Sequence, residues 1–210
     1  MKPYYQDDYA TIYHGDCRDV LPAVHIDAII TDPPYGIGLE YDGHDDSESK
    51  WFGLMDDVVP LMREAARVVV MPSCRIKALS WWYGSYPPDW IIAWHKGSPG
   101  HAAAIGFNDW EPHLVWGKPA QMMHDHFQTR CGFDANGHPC PKPIEWAQWL
   151  VSRVSGPDDI VCDPFMGSGT VLRAAKDLGR KCIGVDQSER YCEIAAKRLA
   201  QEVMDFGGAA

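Results

Sequence analysis

The stretch Asp159-Ile-Val-Cys-Asp-Pro-Phe-Met-Gly-Ser-Gly-Thr170 decides the fold. Its apolar, β-branched start predicts a strand, the acid and the proline end that strand, and the glycines lead into a helical pattern over Val171 to Leu178. Lys181-Cys-Ile-Gly-Val185 then predicts a second strand, which ends at Asp186. A strand, a glycine-bearing turn, a helix and another strand form a βαβ unit, so the sequence indicates an α/β protein with parallel strands.

The rest of the chain continues this alternation of strands and helices. Further strands are predicted at Ala10–His14, Asp27–Thr31, Arg67–Met71, Trp90–Trp94 and His113–Trp116, the last two as antiparallel neighbours. Helices are predicted at Cys17–Leu21, at Met55–Ala66, from Pro143 to about residue 154, and from Ser188 onwards. At 210 residues we expect a single domain, with a loop-rich excursion at about 96–137. Most tryptophans of the middle region are expected in the core.

Composition limits the class of protein. No apolar run reaches the length of about eighteen residues that a membrane span needs, and the first residues are not a signal peptide, so we expect a soluble cytoplasmic protein. The seven cysteines are odd in number and scattered, which is typical of reduced thiols in a cytosol. Cys131, His138 and Cys140 are conceivable zinc ligands, but a paired C-x-x-C is lacking and we predict no metal site.

Negative charge is concentrated near the N-terminus. The formal net charge is -10, and residues 1–57 contain thirteen acidic and three basic residues, whereas residues 58–210 contain sixteen of each. Much of the acidity lies in Glu40-Tyr-Asp-Gly-His-Asp-Asp-Ser-Glu-Ser-Lys50, which is either a solvated surface loop or a flap beside a functional site. Because the acidity is local, the net charge does not exclude a nucleic-acid partner.

The acidic segment follows an unusual end to a strand, Ile29-Ile-Thr-Asp-Pro-Pro-Tyr35. Neither Pro33 nor Pro34 can donate a hydrogen bond to a sheet, so the chain must leave the sheet at Asp32 in a stiff, extended turn. A carboxylate, free carbonyl groups and an aromatic ring are thereby presented at the carboxyl end of a strand. These groups are candidates for contact with a ligand.

The turn after the Asp159–Cys162 strand has features of a nucleoside-binding site. Gly167 and Gly169 would let a ligand approach the backbone at a helix N-terminus, and Asp186 could accept hydrogen bonds from ribose hydroxyls. The spacing is not G-x-G-x-x-G, which disfavours nicotinamide dinucleotides, and no lysine follows as in a phosphate-binding loop. A nucleoside without a pyrophosphate fits better, and S-adenosylmethionine is one such ligand.

Three motifs, in this order, resemble the DNA amino-methyltransferases of the circularly permuted β arrangement, in which the catalytic half precedes the cofactor half. They are Asp32-Pro-Pro-Tyr35, His138-Pro-Cys-Pro-Lys-Pro143 followed by a helix, and Asp163-Pro-Phe-Met-Gly-Ser-Gly-Thr170. The resemblance implies a Rossmann-like S-adenosylmethionine-dependent methyltransferase fold, with a mostly parallel central sheet and helices on both faces. It also implies DNA as the partner, a target base flipped out of the duplex, and a role in restriction-modification; a homodimer is compatible with it.

The resemblance assigns the catalytic turn to Asp32, Pro33, Pro34 and Tyr35. Asp32 and the Pro33 carbonyl would accept hydrogen bonds from the exocyclic amine of the target base, and Tyr35 would stack on that base. An aromatic amine is a poor nucleophile because its lone pair is delocalised into the ring. Two acceptors on its hydrogens favour the pyramidal geometry in which the lone pair can attack a methyl group.

The resemblance also implies a set of cofactor contacts. These are Asp16, Cys17, Asp32, His138, Lys142, Asp163, Pro164, Phe165, Gly167, Ser168, Gly169, Thr170 and Asp186. Asp16 would contact the adenine of the cofactor and Lys142 its methionyl end, with Ser168 and Thr170 bonded to its carboxylate. Cys140-Pro141 stands where many relatives have Thr-Gln.

The chemistry of the target leaves alternatives open. Aspartate in the first position of the Asp32–Tyr35 motif is commoner in relatives that methylate adenine N6, whereas serine is commoner in those that methylate cytosine N4, so adenine is favoured. RNA and protein glutamine methyltransferases use related turns, usually with asparagine first. A catalytically silent cofactor-binding regulatory module is a further alternative, which the complete motif disfavours.

Overall fold

Strands and helices alternate along most of the chain. The computed structural model describes residues 1–38, 40–41, 44–73, 78–97, 102–103, 106–122, 124–129 and 142–201. The strands are β1 (Tyr5–Gln6), β2 (Ala10–His14), β3 (Ala28–Ile30), β4 (Glu40–Tyr41), β5 (His44–Asp45), β6 (Val68–Pro72), β7 (Trp90–His95), β8 (Ala102–Ala103), β9 (Gly106–Phe107), β10 (Trp110–Gly117), β11 (His126–Gln128), β12 (Ile160–Asp163) and β13 (Lys181–Asp186). The helices are α1 (Cys17–Val20), followed by a 3-10 turn (Leu21–Ala23), α2 (Glu48–Ala65), α3 (Leu79–Ser85), α4 (Ile144–Val154), α5 (Thr170–Asp177) and α6 (Glu189–Ala200).

One sheet organises these elements, with the strand order β1-β2-β13-β12-β3-β6-β10-β7-β11. The five strands β2, β13, β12, β3 and β6 run parallel to one another, as the βαβ pattern predicts. The strand β10 is antiparallel to both β6 and β7, which confirms the predicted antiparallel pair, and β11 pairs with β7 in parallel. The protein is thus an α/β protein with a mostly parallel central sheet.

Helices cover both faces of the sheet. On one face, α4, α5 and α6 pack on the side chains of Ala28, Ile30, Val68 and Val70. On the other face, α1, α2 and α3 pack on the alternate positions of the same strands, including Ile29, Val69 and Met71. The strands β3 and β6 therefore have apolar residues at every position, since successive side chains point to opposite faces and both faces are covered. Within the described ranges, no helix combines the length and the apolar character that a membrane crossing needs.

The structure corrects two predictions about the acidic segment. The helix predicted from Met55 begins seven residues earlier, at Glu48, because Trp51 extends the apolar stripe of α2 by one turn and is fully buried. Residues 48–50 are therefore helical. Asp46, which both interpretations of the segment placed in a solvated loop or flap, is only 2% exposed.

The middle of the chain is more regular than predicted. The helix α3 was not expected, and within the excursion at 96–137 the unpredicted strand β11 joins the main sheet in addition to the predicted strand β10. Trp82, Trp94 and Trp116 are buried as predicted, whereas Trp90 and Trp110 are 56% and 41% exposed. The sequence signal for α3 was hidden because its two adjacent tryptophans and a glycine resemble a strand or loop as much as a helix.

The sheet reverses its winding between β3 and β12. From β3 the chain passes through α2 to β6 on one side, and from β12 it passes through α5 to β13 on the other. A crevice opens at such a switch point, outside the carboxyl ends of the strands, and ligands of open α/β sheets bind there. The Asp32 turn and the glycine-bearing turn follow the two strands that meet at this point.

Candidate active site

The Asp32 turn begins directly after the buried strand β3. The amide of Thr31 still donates to the carbonyl oxygen of Val70, at 3.1 Å, and the chain leaves the sheet at the next residue. Pro33 is buried, while Asp32 and Pro34 are half-buried. The turn therefore presents the Asp32 carboxylate at the carboxyl edge of the sheet, as the two prolines predict.

A buried carboxylate from the acidic segment fixes the end of this turn. Asp46 accepts hydrogen bonds from the amides of Gly36 at 2.6 Å and Ile37 at 3.1 Å. Gly36 has a φ of +65°, and a Cβ at this position would lie 2.7 Å from Trp51 Cβ, so a larger residue would force a shift. Asp46 thus holds the chain that follows Tyr35 close to the start of α2.

The Tyr35 hydroxyl lies at the centre of a hydrogen-bonded network. It lies within donor range of Asp32 Oδ1 (2.6 Å) and of Glu111 Oε1 (3.0 Å), and it accepts a hydrogen bond from Lys142 Nζ at 2.6 Å. Lys142 Nζ also lies 3.3 Å from Asp32 Oδ2 and 3.5 Å from Glu111 Oε1. The Lys142 side chain is only 5% exposed, so these charges interact with little screening by water.

Glu111, near the start of β10, is the second carboxylate of this network. Its other oxygen, Oε2, lies 3.5 Å from Lys96 Nζ. Burial alone would raise the pKa of Glu111, but the charge of Lys142, with smaller effects of His113 and Lys96, holds that pKa at about 2. Glu111 is therefore ionised at neutral pH and shares the positive charge of Lys142 with Asp32.

The pKa of Asp32 is displaced in the opposite direction. Burial raises it above the ordinary value of 3.8, and the Glu111 carboxylate adds to the rise. The Lys142 ammonium and the Tyr35 hydroxyl oppose the rise, since both stabilise the ionised form. Asp32 and Glu111 share Lys142, yet their pKa values are shifted in opposite directions. Carboxylates with such shifted pKa values are common in active sites that transfer protons.

A neutral histidine supports this network from within the core. Trp146 Nε1, which can only donate, lies 2.7 Å from His113 Nε2, so this ring nitrogen must be the acceptor. His113 Nδ1 then carries the proton and donates to the carbonyl oxygen of Glu111 at 3.2 Å. Burial lowers the pKa of His113 to about 4, in agreement with a neutral ring. The strand that carries Glu111 is therefore tied to α4, which directly follows Lys142 and Pro143.

The glycine-bearing turn after β12 begins with a buried acid. Asp163 is 3% exposed, and its Oδ1 accepts hydrogen bonds from Thr31 Oγ1 at 2.7 Å and from the Phe165 amide at 3.1 Å. Burial raises the pKa of Asp163 to about 7, although the two hydrogen bonds act to lower it. Because Thr31 directly precedes Asp32, this hydrogen bond joins the two turns across the switch point.

The remaining acids of the edge hold backbone amides. Asp186 Oδ2 accepts from the Gly167 amide at 2.9 Å, and its Oδ1 accepts from the Ser188 amide at 2.8 Å. Asp16 is the N-cap of α1, where its carboxylate accepts from the amide and guanidinium of Arg18. The hydrogen bonds from Arg18 lower the pKa of Asp16. These acids therefore shape the edge themselves, whatever ligand they also contact.

The two hydroxyls of the glycine-bearing turn contact the last helix. Arg198 of α6 donates to Thr170 Oγ1 at 2.7 Å and to Ser168 Oγ at 3.4 Å. Between these residues, Gly169 has a φ of +77°, and a Cβ there would lie 2.9 Å from the Cβ of Ala195. The turn is thus packed closely on α6 at Gly169, as a glycine allows.

Most of the predicted site residues meet at this edge. Asp16 and Cys17 follow β2, Asp32–Tyr35 follow β3, Lys142 precedes α4, and Asp163–Thr170 and Asp186 lie at the ends of β12 and β13. Cys17 and Pro164 are buried and Phe165 is half-buried. His138 lies outside the described residues, as do Cys131 and Cys140 of the conceivable zinc site. Among the residues that are described, no cluster of three or more His, Cys, Asp or Glu side chains could hold a metal ion.

Four residues of the site were not predicted from the sequence: Lys96, Glu111, Asp46 and Arg198. Glu111 could have been noticed, because it is a lone acid at the head of the apolar run 112–116, and a charge in a buried strand usually has a partner. Nothing in the local sequence distinguishes Lys96 or Arg198 from other exposed bases.

Comparisons with known proteins agree with this geometry. The N6/N4 DNA methylase family model matches residues 94–197. YubD of Escherichia coli strain K12 is 29% identical, over 93% of each chain. The type II methyltransferase M.ScaI of Streptomyces caespitosus is 25% identical, over 98% of this chain and 86% of its own. The crystal structure of the M1.HpyAVI–SAM complex is 26% identical with a TM-score of 0.67, and it covers 91% of this chain and 100% of its own. In sequence and in fold, the chain is thus similar to DNA methyltransferases of the N6/N4 family.

Proposed function

We propose that this protein transfers the methyl group of S-adenosylmethionine to the exocyclic N6 amine of adenine in DNA, with the base flipped out of the duplex. The observation that carries the proposal is the hydrogen bond from Thr31 to Asp163. It places the acceptor of the Asp32 turn next to the glycine-bearing turn, so the amine and the cofactor would meet at the switch point of the sheet.

The residues after β12 and β13 fit a cationic nucleoside such as S-adenosylmethionine. Gly167 has a φ of +49°, and a Cβ built there would meet nothing within 4 Å, so the space in front of its backbone is open. Asp163 and Asp186 lie on either side of this turn, and their carboxylates suit a sulfonium or ammonium charge and a ribose diol. The complex of the related M1.HpyAVI with SAM supports the same assignment.

Asp32 and the Pro33 carbonyl activate the amine in this proposal. When bound, the cofactor supplies an electrophilic methyl group on a sulfonium sulfur. Asp32 holds one amine hydrogen and the Pro33 carbonyl holds the other, so that the nitrogen lone pair is no longer fully delocalised into the ring. The carboxylate also stabilises the positive charge that develops on nitrogen as the new bond to carbon forms. The methylated amine is acidic enough to release its extra proton to Asp32 or to water.

Tyr35 and Lys142 position the base and the acid. Lys142 Nζ donates to the Tyr35 hydroxyl at 2.6 Å, at the edge of the ring, so we assign the target base to a face of that ring. An amine within a duplex could not reach the Asp32 turn, which is why a flipped base is required. Aspartate at position 32 favours adenine over cytosine N4, the second candidate in this family.

The test is to incubate the purified protein with labelled S-adenosylmethionine and unmethylated DNA, digest the DNA to nucleosides, and identify the product by mass spectrometry. We expect labelled N6-methyladenine, and none with Asp32→Ala. N4-methylcytosine would overturn the assignment of the base while keeping the reaction. No labelled nucleoside from a folded protein that binds the cofactor would overturn the proposed function itself.

A further inference from the structure

The Tyr35 hydroxyl has one proton and two carboxylate acceptors. Asp32 Oδ1 is 2.6 Å away and Glu111 Oε1 is 3.0 Å away, and the oxygen itself accepts from Lys142 Nζ. At any instant the proton can lie in a hydrogen bond to only one carboxylate. When the hydroxyl donates to Asp32, Asp32 Oδ1 already accepts a hydrogen bond from the protein. When it donates to Glu111, Asp32 Oδ1 is available to an amine of the substrate.

The Lys142 ammonium is divided in the same way. It lies 3.3 Å from Asp32 Oδ2 and 3.5 Å from Glu111 Oε1, and the Lys142 side chain itself is buried. Without Glu111, the hydroxyl and the ammonium would lose this carboxylate and interact more strongly with Asp32, and a carboxylate that is already neutralised is a weak acceptor for a developing cation. Lys96, 3.5 Å from Glu111 Oε2, offsets the second negative charge.

From this geometry, and resting on the proposed function, we propose that Glu111 is a positioning residue of methyl transfer. It takes the Tyr35 hydrogen bond and part of the Lys142 charge away from Asp32, so that Asp32 can accept the target amine. Glu111 itself contacts neither the base nor the reacting atoms in this scheme. It acts through Tyr35 and Lys142.

Glu111 is well placed to act as such an alternative acceptor. It extends from β10, whereas Asp32 follows β3, and the hydrogen bond between the Glu111 carbonyl oxygen and the buried His113 fixes its backbone. Other charged or titratable groups that influence Asp32 are Lys142, Tyr35 and, across the switch point, Asp163. Of these neighbours, Glu111 alone can relieve Asp32 of both the hydroxyl and the ammonium.

Glu111→Gln tests the proposal, because glutamine keeps the size and one oxygen acceptor but loses the charge. We expect kcat to fall about tenfold to a hundredfold, as for misplaced catalytic groups, while KM for S-adenosylmethionine changes by less than about threefold. Glu145→Gln is the matched control, since Glu145 is exposed in the first turn of α4. It should behave like the unchanged protein.

A measurement without cofactor or DNA separates this proposal from the proposed function. The Asp32 carboxyl carbon is followed by NMR in protein labelled at aspartate, and its signal is identified by its loss in Asp32→Asn. In Glu111→Gln the pKa of Asp32 should fall, because the negative charge of Glu111 that raises it is gone and Lys142 and Tyr35 interact more strongly with Asp32. An unchanged Asp32 titration in the folded variant, or lost cofactor binding with an unchanged kcat, would overturn the role of Glu111. Absence of methyl transfer by the unchanged protein would overturn only the proposed function.

Discussion

The glycine-bearing turn and the Asp32 turn lie side by side, yet the residues that hold them are separated by very different distances along the sequence. The amide of Gly167 donates to Asp186, 19 residues away, and that of Phe165 donates to Asp163 only two residues away. The Tyr35 hydroxyl, by contrast, contacts residues 76 and 107 positions away. The side of the edge assigned to the cofactor is thus built mainly within one βαβ unit and the helix that follows it, whereas the side assigned to the target base needs β10 and the segment before α4.

The difference teaches that the two sides can be disturbed separately. A local unit keeps its shape when a distant strand is altered, and a network of four side chains from different elements fails when one member is lost. Asp163 is the exception, because its hydrogen bond from Thr31 joins the two sides. Substitutions on each side should therefore affect different measured quantities.

Removal of Asp32 should have the largest effect. In our proposal the Asp32 carboxylate is an acceptor and a negative charge that stabilise the amine in the transition state, so in Asp32→Ala we expect methyl transfer to fall by about a thousandfold or more. The dissociation constant for S-adenosylmethionine, measured by calorimetry, should change only a few fold. The exposed Asp8 provides a control, Asp8→Ala, with unchanged values. Loss of cofactor binding in Asp32→Ala would show that the two sides are not separable.

The titration of Asp163 should make the folded protein less stable as the pH rises. Most aspartates in folded proteins have the opposite effect, because their pKa is lowered on folding. Its pKa is about 7 in the folded protein and 3.8 as an ordinary aspartate, so the folded state binds more protons between these values. The free energy of unfolding should therefore fall as pH rises through this window, by at most about 4 kcal/mol. Asp163→Asn should be more stable than the unchanged protein above pH 7, measured by denaturant unfolding, and should bind S-adenosylmethionine less tightly.

The exposed Asp158, just before β12, is the matched position for this experiment. Asp158→Asn should leave both the stability and the cofactor affinity unchanged. A lower stability of Asp163→Asn at pH 8 would contradict this account. It would mean that the hydrogen bonds to the carboxylate stabilise the folded protein by more than the burial of its charge costs.

His113 supports the side of the edge that is assigned to the target base. Its titration should change the stability of the folded protein with pH in the direction opposite to that of Asp163. Its pKa is about 4 when folded and 6.5 as an ordinary histidine, so the unfolded state binds more protons between these values. Stability should be lost as pH falls through this window, by about 3 kcal/mol. In His113→Gln this slope should flatten. The proton NMR titration of His113 in the unchanged protein checks the same point if the variant folds poorly, and a pKa near 6.5 would contradict it.

Asp186 should have a smaller effect on the rate of methyl transfer than Asp32. Asp186→Ala removes one or two charge-assisted hydrogen bonds to the ribose, each worth about 1.5–3 kcal/mol, and should weaken binding of S-adenosylmethionine accordingly. At saturating cofactor, kcat should change much less than in Asp32→Ala. An unchanged dissociation constant would remove Asp186 from the cofactor site, and Asp186 would then serve only the amides of Gly167 and Ser188.

The same contrast in contact range explains what could be predicted from the sequence. The strands β2, β3, β6, β12 and β13 were predicted to within about two residues, because apolar runs with turn signals are local features. The three motifs indicated the family and most of the site edge. The start of α2 was missed because acidic residues obscured the one buried side chain, Trp51, that extends its apolar face.

The surroundings of Asp32 could not be predicted in the same way. Lys142 was assigned to the methionyl end of the cofactor, and the structure places its ammonium at Asp32, Tyr35 and Glu111. Such contacts depend on the order of strands in the sheet, and a single sequence carries no local signal of which strand will lie beside which. The roles of the individual site residues remain predictions that the variants above would test.

The strand order also has a consequence for how the chain is made. The strands β12 and β13 come last among the described strands, yet they lie between β2 and β3. While the ribosome is still completing α4, β2 and β3 therefore each have an open, apolar edge, and open edges pair readily with other chains. We expect the nascent protein to need chaperone protection until β12 and β13 have emerged, because only then can the sheet close between β2 and β3.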